Sequence, residues 1–476
     1  MTKMTERMAL AKSELTKAVR MLRQVVEKTV APTASFEDRE AAWLAAGNEA
    51  MRVGLEADLQ GVSDGCGPEV LVDGERYRRH LRGEVPYASL CGPLAVRRFS
   101  YRRVGERNGR TVIPMELAAG IIENATPALA FSVAQGFAKH DMRSHREDLV
   151  AAHRLPPSRT TLERIAQRVG DEAGQSRARI DAYVRRDEAL PEGAHALSLG
   201  LDRVAVPMEE PRPAAAPARP RRSRKPRVRK TPAPVDVNYR MAYVGTVAIV
   251  DADGEVLATR KYAIPAADDP ATLVVDRMMA DVVTLRRKKP SLAVGIVQDG
   301  APEMWNLLVE GIARHGIAGP IHQAIDRYHL TERLGKALAI VEPNEAIRKR
   351  TLQEWTVDFD RRDSAIDVVQ HRLIKHHAQL PPAKAAELWE HLVYLRRNKN
   401  RMRYVSLRLA GLPVGSGVTE GSCKSVVGKR ARGSGQRWHD RGLRNALTLR
   451  ALHQSDRLLP FWSHLARRYT AQVANA

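Results

Sequence analysis

The chain is 476 residues long, and 77 Lys and Arg residues against 55 Asp and Glu residues give it a formal net charge of +22. This length exceeds that of one compact core, so we expect two or more domains. The charge excess favours a polyanionic partner, foremost a nucleic acid. Arg accounts for 60 of the basic residues, which suits bidentate phosphate and guanine contacts, although a GC-rich genome gives the same bias.

Cysteine usage and the apolar segments exclude several classes of protein. Cys66, Cys91 and Cys423 are isolated and no C-x-x-C motif occurs, which argues against a disulfide scaffold and a four-ligand zinc site. The N-terminus is charged and passes into a helical pattern without the apolar core of a secretory signal. The longest apolar stretch, residues 241–250, is too short to span a membrane. These features predict a soluble intracellular protein.

The first 125 residues divide into a helical and a β-prone region. Residues 1–62 carry helical spacing of apolar residues and predict two helices, the second beginning after Ser35 as N-cap. They either pack into a core or mediate self-association. Residues 63–125 predict a small β-ribbon with a basic, aromatic face. The arginines of that face are Arg97, Arg98, Arg102 and Arg103.

Residues 126–190 predict a helical domain that resembles a helix-turn-helix. A helix over 144–153 is broken at Leu155-Pro156-Pro157, and a second begins near Ser158, with Thr160 and Glu163 as its capping box. Two ordinary packed helices would give the same pattern. The second helix should bury Leu162, Ile165, Ala166 and Val169 and leave Arg159, Arg164 and Arg168 free for the major groove or phosphates.

Residues 191–330 predict a mixed sheet. A strand over 196–206 contains Asp202; residues 211–234, with seven Pro, nine Lys or Arg and no acid, predict a disordered basic arm. A hairpin follows over 239–264, then a helix, a strand over 292–298 that ends at Asp299, a helix, and a strand over 321–325. This order predicts three antiparallel strands followed by parallel crossover units. Residues 331–411 predict an all-helical insertion.

Two carboxylates should meet at one edge of this sheet. If the strands that carry Asp202 and Asp299 pair in parallel, both lie near the carboxyl ends of the strands, where open sheets gather their sites. Paired carboxylates suit Mg²⁺ or Mn²⁺, and two such ions support in-line phosphoryl displacement. Asp at a strand end also serves as a simple cap, so the pair alone leaves both interpretations open.

The C-terminal part, residues 412–476, adds a third acid. Residues 415–438 place Glu420 among small residues and a dense basic run. Helical continuation puts Lys424 one turn beyond Glu420, so the carboxylate would face a metal ion and the cation a phosphate.

The segment 415–438 resembles the catalytic segment of bacterial insertion-sequence DDE transposases of the ISKra group, relatives of Mutator-like transposases. Leu201-Asp202-Arg203, Gln298-Asp299-Gly300-Ala301 and Asp326-Arg327-Tyr328-His329 carry the rest of the resemblance. It implies a multi-domain α+β and α/β protein with a ribonuclease-H-like catalytic core split by the helical insertion. It also implies binding of terminal inverted repeats and target DNA, metal-dependent strand cleavage and transfer, homo-oligomers on DNA, and a cytoplasmic, nucleoid-associated location.

Carried onto this sequence, the resemblance implies two Mg²⁺ or Mn²⁺ ions bound by Asp202, Asp299 and Glu420. His329, in a D-x-x-H element, would help to position DNA or would be a core-facing cap. Trp438 either stacks on a base or packs beneath the preceding turn. Phosphate contacts are expected from Lys424, Lys429, Arg430, Arg432 and Arg437.

One departure from the relatives concerns zinc. They often carry N-terminal Cys pairs, whereas Cys66 and Cys91 here are single, and with His80 they would be vestigial ligands. Two other functions fit the same residues. A domesticated, non-catalytic DNA-binding protein would keep the fold and the charge, and a structure-specific nuclease would keep the carboxylates.

Overall fold

A computed structural model describes residues 2–106, 109, 111–211, 235–265, 271–470 and 473–475 of the chain. It divides into two compact units, residues 1–180 with 460–476, and residues 181–459. Each unit combines helices with one five-stranded sheet, antiparallel in the first unit and mixed in the second, in agreement with the predicted multi-domain α+β class. Among the described helices, none combines the length and the apolar character that crossing a membrane needs.

The first unit combines long helices with an antiparallel sheet. Ser35 caps the second helix with a full capping box to Asp38, as predicted. The sheet has the order β10-β1-β2-β3-β4. The elements are α1 (Thr2–Thr29), α2 (Phe36–Gly65), β1 (Glu69–Val72), β2 (Glu75–Ser89), β3 (Gly92–Arg103), β4 (Thr111–Val112), α3 (Pro114–Ala118), α4 (Pro127–Lys139), α5 (Met142–Ala151) and α6 (Arg159–Asp187), with α17 (Leu458–Thr470) and β10 (Val473–Asn475) near the C-terminus.

The C-terminal end of the chain differs from the sequence-based division, which assigned all of residues 412–476 to the catalytic core. Residues 460–476 belong to the first unit. The reason is β-pairing, since Val473 opposes Val72 of β1 in an antiparallel register. Trp462 also packs on Phe131 of α4, with ring centroids 5.3 Å apart.

The predicted helix pair is present as α5 and α6, and the predicted apolar face of α6 is buried. The start of α6 differs from the prediction, because Ser158 and not Thr160 is the cap. The Ser158 hydroxyl accepts a hydrogen bond from the Thr161 backbone N–H at 3.3 Å. Glu163, predicted to close the capping box, instead binds Arg159 at 2.7 Å. The buried residues are Leu162, Ile165, Ala166 and Val169.

Ser158→Ala should lower the stability of the first turn of α6 by about 1 kcal/mol, because an N–H of that turn loses its acceptor. Thr160→Ala is the matched control and should change the stability by a few tenths of that value. Hydrogen exchange of the first α6 amides measures both variants. Equal effects of the two substitutions would contradict the assignment of Ser158 as the cap.

The second unit is built on a five-stranded sheet of order β7-β6-β5-β8-β9. β5 and β6 form a long antiparallel pair, β7 continues it, and β5, β8 and β9 are parallel. This is the predicted arrangement of three antiparallel strands followed by parallel crossovers. The strands and crossover helices are β5 (Ala196–Pro211), β6 (Val235–Val250), β7 (Val256–Pro265), α7 (Ala271–Lys288), β8 (Ala293–Gln298), α8 (Pro302–Arg314) and β9 (Ile321–Ile325).

Helices cover both faces of this sheet. Residues 244–250 of β6 are buried without alternation, which indicates a strand enclosed on both sides. A Cβ added at Gly245 would meet Met278 of α7, whereas its neighbour Thr246 bonds Thr419 of the C-terminal segment. Because successive strand residues face opposite sides, α7 lies on one face and the C-terminal segment on the other.

The remaining helices of this unit form the predicted helical block and the C-terminal segment. The predicted arm begins at Pro211, where β5 ends opposite the start of β6, and residues 212–234 lie outside the described residues. The helical block contains α9 (Arg327–Val341), α10 (Glu345–Arg361), α11 (Ala365–His377), α12 (Pro382–Arg397), a 3₁₀ turn (Lys399–Arg401) and α13 (Tyr404–Leu409); the C-terminal segment contains α14 (Gly417–Ser422), a π-helical turn (Cys423–Gly428), α15 (Lys429–Ala431) and α16 (Asp440–His453).

Candidate active site

The two predicted aspartates occupy equivalent positions on neighbouring parallel strands. The last pair of the β5–β8 ladder is Leu199 opposite Ile296. Asp202 and Asp299 each follow that pair by three residues, so their backbones are level with each other at the carboxyl ends of the paired segments. The β8–β9 ladder ends at Gln298 opposite Ile325, which puts Asp326 level with Asp299. Three acids are therefore level with one another on adjacent parallel strands, Asp202 within β5 and Asp299 and Asp326 directly after β8 and β9.

Strand periodicity directs Asp202 to the face that carries α14. Residues two apart on a strand share a face, and a Cβ added at Gly200 would lie 2.0 Å from Thr419 Oγ1. The Thr419 and Thr246 hydroxyls are 2.7 Å apart, and both side chains are buried. Asp202 thus shares its side of the sheet with the helix that carries Glu420.

Gly200→Ala should lower the free energy of unfolding of the second unit by about 1–3 kcal/mol, since the added methyl overlaps the Thr419 side chain. It should also lower any activity that depends on Glu420, because α14 must shift to make room. Thr419→Ala removes the clashing hydroxyl and is expected to recover part of both losses in the double variant. Urea unfolding and an activity assay measure these changes; a fully stable, fully active Gly200→Ala protein would contradict the contact.

Glu420 faces a histidine and a serine. Its carboxylate accepts a hydrogen bond from the Ser416 hydroxyl at 3.3 Å. The Nδ1 atom of His329 lies 3.9 Å from Glu420 Oε1 and 3.1 Å from Asp326 Oδ1. The imidazole therefore bonds the acid at the end of β9 and lies near the acid on α14, and both His329 and Glu420 stay more than a third exposed.

The buried side chain of Asp326 holds His329 and the loop before Glu420 in place. It is 2% exposed, and its carboxylate accepts the backbone N–H groups of His329, at 2.9 Å, and of Ser416. Burial acts to raise the pKa of this carboxyl, but the hydrogen bonds from Ser416 and His329 outweigh it and the pKa is lowered. Asp326 consequently stays ionised, caps α9 and anchors the loop that leads to Glu420.

A cysteine that sequence reasoning did not place in the site lies beside Asp202. The Cys423 thiol donates to Asp202 Oδ2 at 3.4 Å, and burial, followed by the charge of Asp202, raises the pKa of this thiol. Cys423 begins the π-helical turn that widens the helix after Glu420. The widened turn directs Cys423 to Asp202, and Lys424 is exposed to solvent.

Asp299 lines an open cavity of about 470 Å³. The edge of the sheet forms one side of this cavity, and helices α9 and α12 form the other. Its carboxylate accepts the Ala301 backbone N–H at 3.0 Å. A Cβ added at Gly300 would meet Tyr394 at 2.4 Å, so a glycine is needed after this aspartate. The Arg333 guanidinium covers the Tyr394 ring at 3.9 Å and brings positive charge to the cavity.

The predicted basic contacts differ in their accessibility. Arg430 is 4% exposed and its guanidinium stacks on Trp438 at 4.7 Å, so it is not on the surface that a phosphate would reach. Trp438 is buried, and its indole N–H donates to the Ala431 carbonyl at 3.2 Å; it packs beneath the turn, as one of the two interpretations predicts. The exposed members of the basic set are Lys424, Lys429, Arg432 and Arg437.

The predicted arginines of α6 are about half exposed, and each has an acidic neighbour. Arg159 pairs with Glu163, Arg164 with Glu123 at 3.1 Å, and Arg168 with Glu172 at 2.6 Å. Exposed ion pairs of this kind are weak, so a phosphate can displace the carboxylate. Their role in DNA binding stays a prediction.

The donor set at the sheet edge fits a divalent cation. Asp326, His329 and Glu420 offer ligand atoms within 4.8 Å of one another. Asp202, Asp299 and Glu420 do not form such a compact cluster among the described side chains, since Asp202 turns to Cys423 and Asp299 to the Ala301 N–H. The potential metal-ligand clusters of the described chain do not include Cys66, Cys91 or His80.

Comparisons with known proteins find a similarity among solved structures. No family model and no curated protein matches the chain. Among solved structures, the Drosophila P element transposase strand transfer complex is similar with a TM-score of 0.27 and 13% sequence identity, over 72% of this chain and 81% of that chain.

Proposed function

We propose that the chain is a DDE-type DNA transposase of the ISKra type that binds terminal inverted repeats and catalyses metal-dependent strand cleavage and strand transfer. One observation carries the proposal. Asp202 and Asp299 are level with each other on parallel strands, and α14, the helix that carries Glu420, packs on the same sheet. Carboxylates gathered at one edge of a sheet could hold the two metal ions that in-line phosphoryl transfer uses. A net charge of +22 suits a DNA substrate.

Asp202, Asp299 and Glu420 are the residues that would hold two Mg²⁺ or Mn²⁺ ions. When bound, such ions activate a water or a 3′-hydroxyl and stabilise the leaving oxygen. Carboxylate oxygens are the ligands that these hard cations prefer. Asp326 would act as a positioning residue, because it anchors both His329 and the loop before Glu420 without being exposed to DNA.

The remaining residues of the site would bind and orient the substrate. His329 stands at the exposed rim and can donate to a phosphate once Glu420 engages a cation. Lys424, Lys429, Arg432 and Arg437 follow Glu420 and would neutralise the strand that enters the site. Homo-oligomers on paired ends, target-DNA capture and a cytoplasmic, nucleoid-associated location are part of the same proposal.

The test is a cleavage and strand-transfer assay on the terminal DNA that flanks the coding region, with chelator, Mg²⁺ or Mn²⁺. Wild type should cut and join strands only with a metal ion present, and Asp299→Asn should bind the same DNA without cutting it. Tight binding by wild type without cleavage under any metal would replace the transposase with a non-catalytic DNA-binding protein. Metal-dependent cleavage of branched or mismatched DNA without terminal specificity would indicate a nuclease.

A further inference from the structure

A second group of potential metal ligands lies at the corner between α4 and α5, far along the chain from the carboxylates of the sheet. α4 ends at Lys139 and α5 begins at Met142, so His140 and Asp141 form the whole connection. His145 and Asp148 follow on α5, three residues apart and therefore on one face of that helix. His140, His145 and Asp148 offer ligand atoms that all lie within 4.8 Å of one another.

The spacing of two of these atoms matches tetrahedral zinc coordination. His140 Nε2 and Asp148 Oδ2 are 3.3 Å apart. Ligand atoms about 2.0–2.1 Å from a tetrahedral Zn²⁺ are separated by about 3.3 Å along each edge. Two imidazoles and one carboxylate also suit zinc better than magnesium, which takes an all-oxygen shell.

The third side chain is held in place by its surroundings. His145 is 8% exposed and packs against the backbone of α4, where a Cβ added at Gly136 would lie 2.3 Å from the imidazole Cγ. The Ser132 hydroxyl lies 3.3 Å from His145 Nε2 and fixes the plane of the ring. A hydrogen-bonding partner of this kind usually orients a metal-binding imidazole. Gly136 thus leaves room on α4 for the imidazole of His145, and Ser132 gives that imidazole a hydrogen-bonding partner.

One side of this group is open to solvent. The acidic partner is open to solvent, with 63% of the Asp148 side chain exposed against 37% for His140, so an ion can enter from that side.

We propose that His140, His145 and Asp148 bind one Zn²⁺ ion, with water as the fourth ligand, and that the ion fixes α5 against α4. α5 is the first helix of the predicted helix-turn-helix, and its Arg146 side chain donates to the Pro157 carbonyl, just before α6, at 3.3 Å. The ion would therefore stabilise the base of the predicted DNA-reading helices. Its role would be structural and separate from the carboxylate site.

The experiment uses the full-length protein, freed of metal by a chelator and kept in excess Mg²⁺ so that the carboxylates of the sheet are occupied. Co²⁺ is titrated and followed by its visible absorption, which is intense for tetrahedral sites, and Zn²⁺ is then added as competitor. Wild type should bind one equivalent of Co²⁺ that Zn²⁺ displaces, and Zn²⁺ should raise its melting temperature.

His140→Gln and Asp148→Asn should each weaken binding about tenfold or more and remove the Zn²⁺-dependent rise in melting temperature. Glu147→Gln, the same change of charge one residue away on the exposed face of α5, is the control and should bind as wild type does. Absence of a tetrahedral Co²⁺ spectrum in folded wild type would overturn the proposal, and so would equal binding by all four proteins. Either result would leave His140 and Asp148 as an ordinary ion pair, and because no DNA is involved the carboxylate site is unaffected.

Discussion

Glu420→Gln is expected to reduce strand cleavage by about 10³-fold or more, a loss that corresponds to about 4 kcal/mol of transition-state stabilisation. The amide that replaces the carboxylate keeps the size of the side chain and its contact with Ser416, but it loses the charge that holds a metal ion. Terminal DNA should bind as tightly as before or more tightly, because one negative charge that faces the phosphates is removed.

A control variant and a separate measurement of DNA binding distinguish a loss of chemistry from a loss of structure. Glu310→Gln makes the same change on the exposed side of α8 and should leave cleavage unchanged. Anisotropy of labelled terminal DNA measures binding, and single-turnover cleavage with Mg²⁺ measures chemistry. Cleavage by Glu420→Gln at the wild-type rate would remove Glu420 from the metal-binding set, and a parallel loss of binding would instead indicate that α14 had been displaced.

The chain order of strands and helices made most of the core predictable. Periodicity located β5, β8 and β9, and the rule that crossovers connect parallel strands then placed Asp202 beside Asp299. No such rule locates Glu420, because it lies on a helix more than a hundred residues after Asp299 in the chain. Its position depends on small residues, Gly200 above all, that let α14 approach the sheet. The small and basic residues around Glu420 and the resemblance to a family pointed to it as a site residue, but no periodicity rule placed it against the sheet.

Other features of the site could not be predicted because they depend on local departures from ideal helix geometry and on the burial of a charged side chain. An ideal α-helix after Glu420 puts Lys424 on the same face, whereas the π-helical turn directs Cys423 to Asp202. The charge of Arg430 suggested an exposed phosphate contact, but the ring of Trp438 gave it a buried place to stack. Neither a π-helical turn nor a buried cation has a clear signal in a single sequence.

The largest effect on stability is expected from Arg457, the centre of a buried ion network in the second unit. Arg457 is 5% exposed and donates to both oxygens of Asp281, at 2.7 and 2.9 Å, and to Glu188 at 2.7 Å. Burial acts to lower the pKa of this guanidinium, but Asp281 and Glu188 outweigh it and the pKa is raised. Asp281, on α7, is 1% exposed, and both of its carboxylate oxygens accept hydrogen bonds from Arg457.

Arg457→Leu should destabilise the second unit by about 3–5 kcal/mol, because it leaves the Asp281 carboxylate buried without its partner. Arg314→Leu breaks a pair of the same chemistry, Arg314 with Asp276 at 2.7 Å, whose side chains are 43% and 41% exposed, and should cost less than about 1 kcal/mol. Hydrogen exchange of the α7 amides reports on both variants, since both aspartates lie on that helix. Burial is the main difference between the two pairs. Equal losses of stability in the two variants would mean that the ion pairs of Arg457 are no stronger than a surface ion pair.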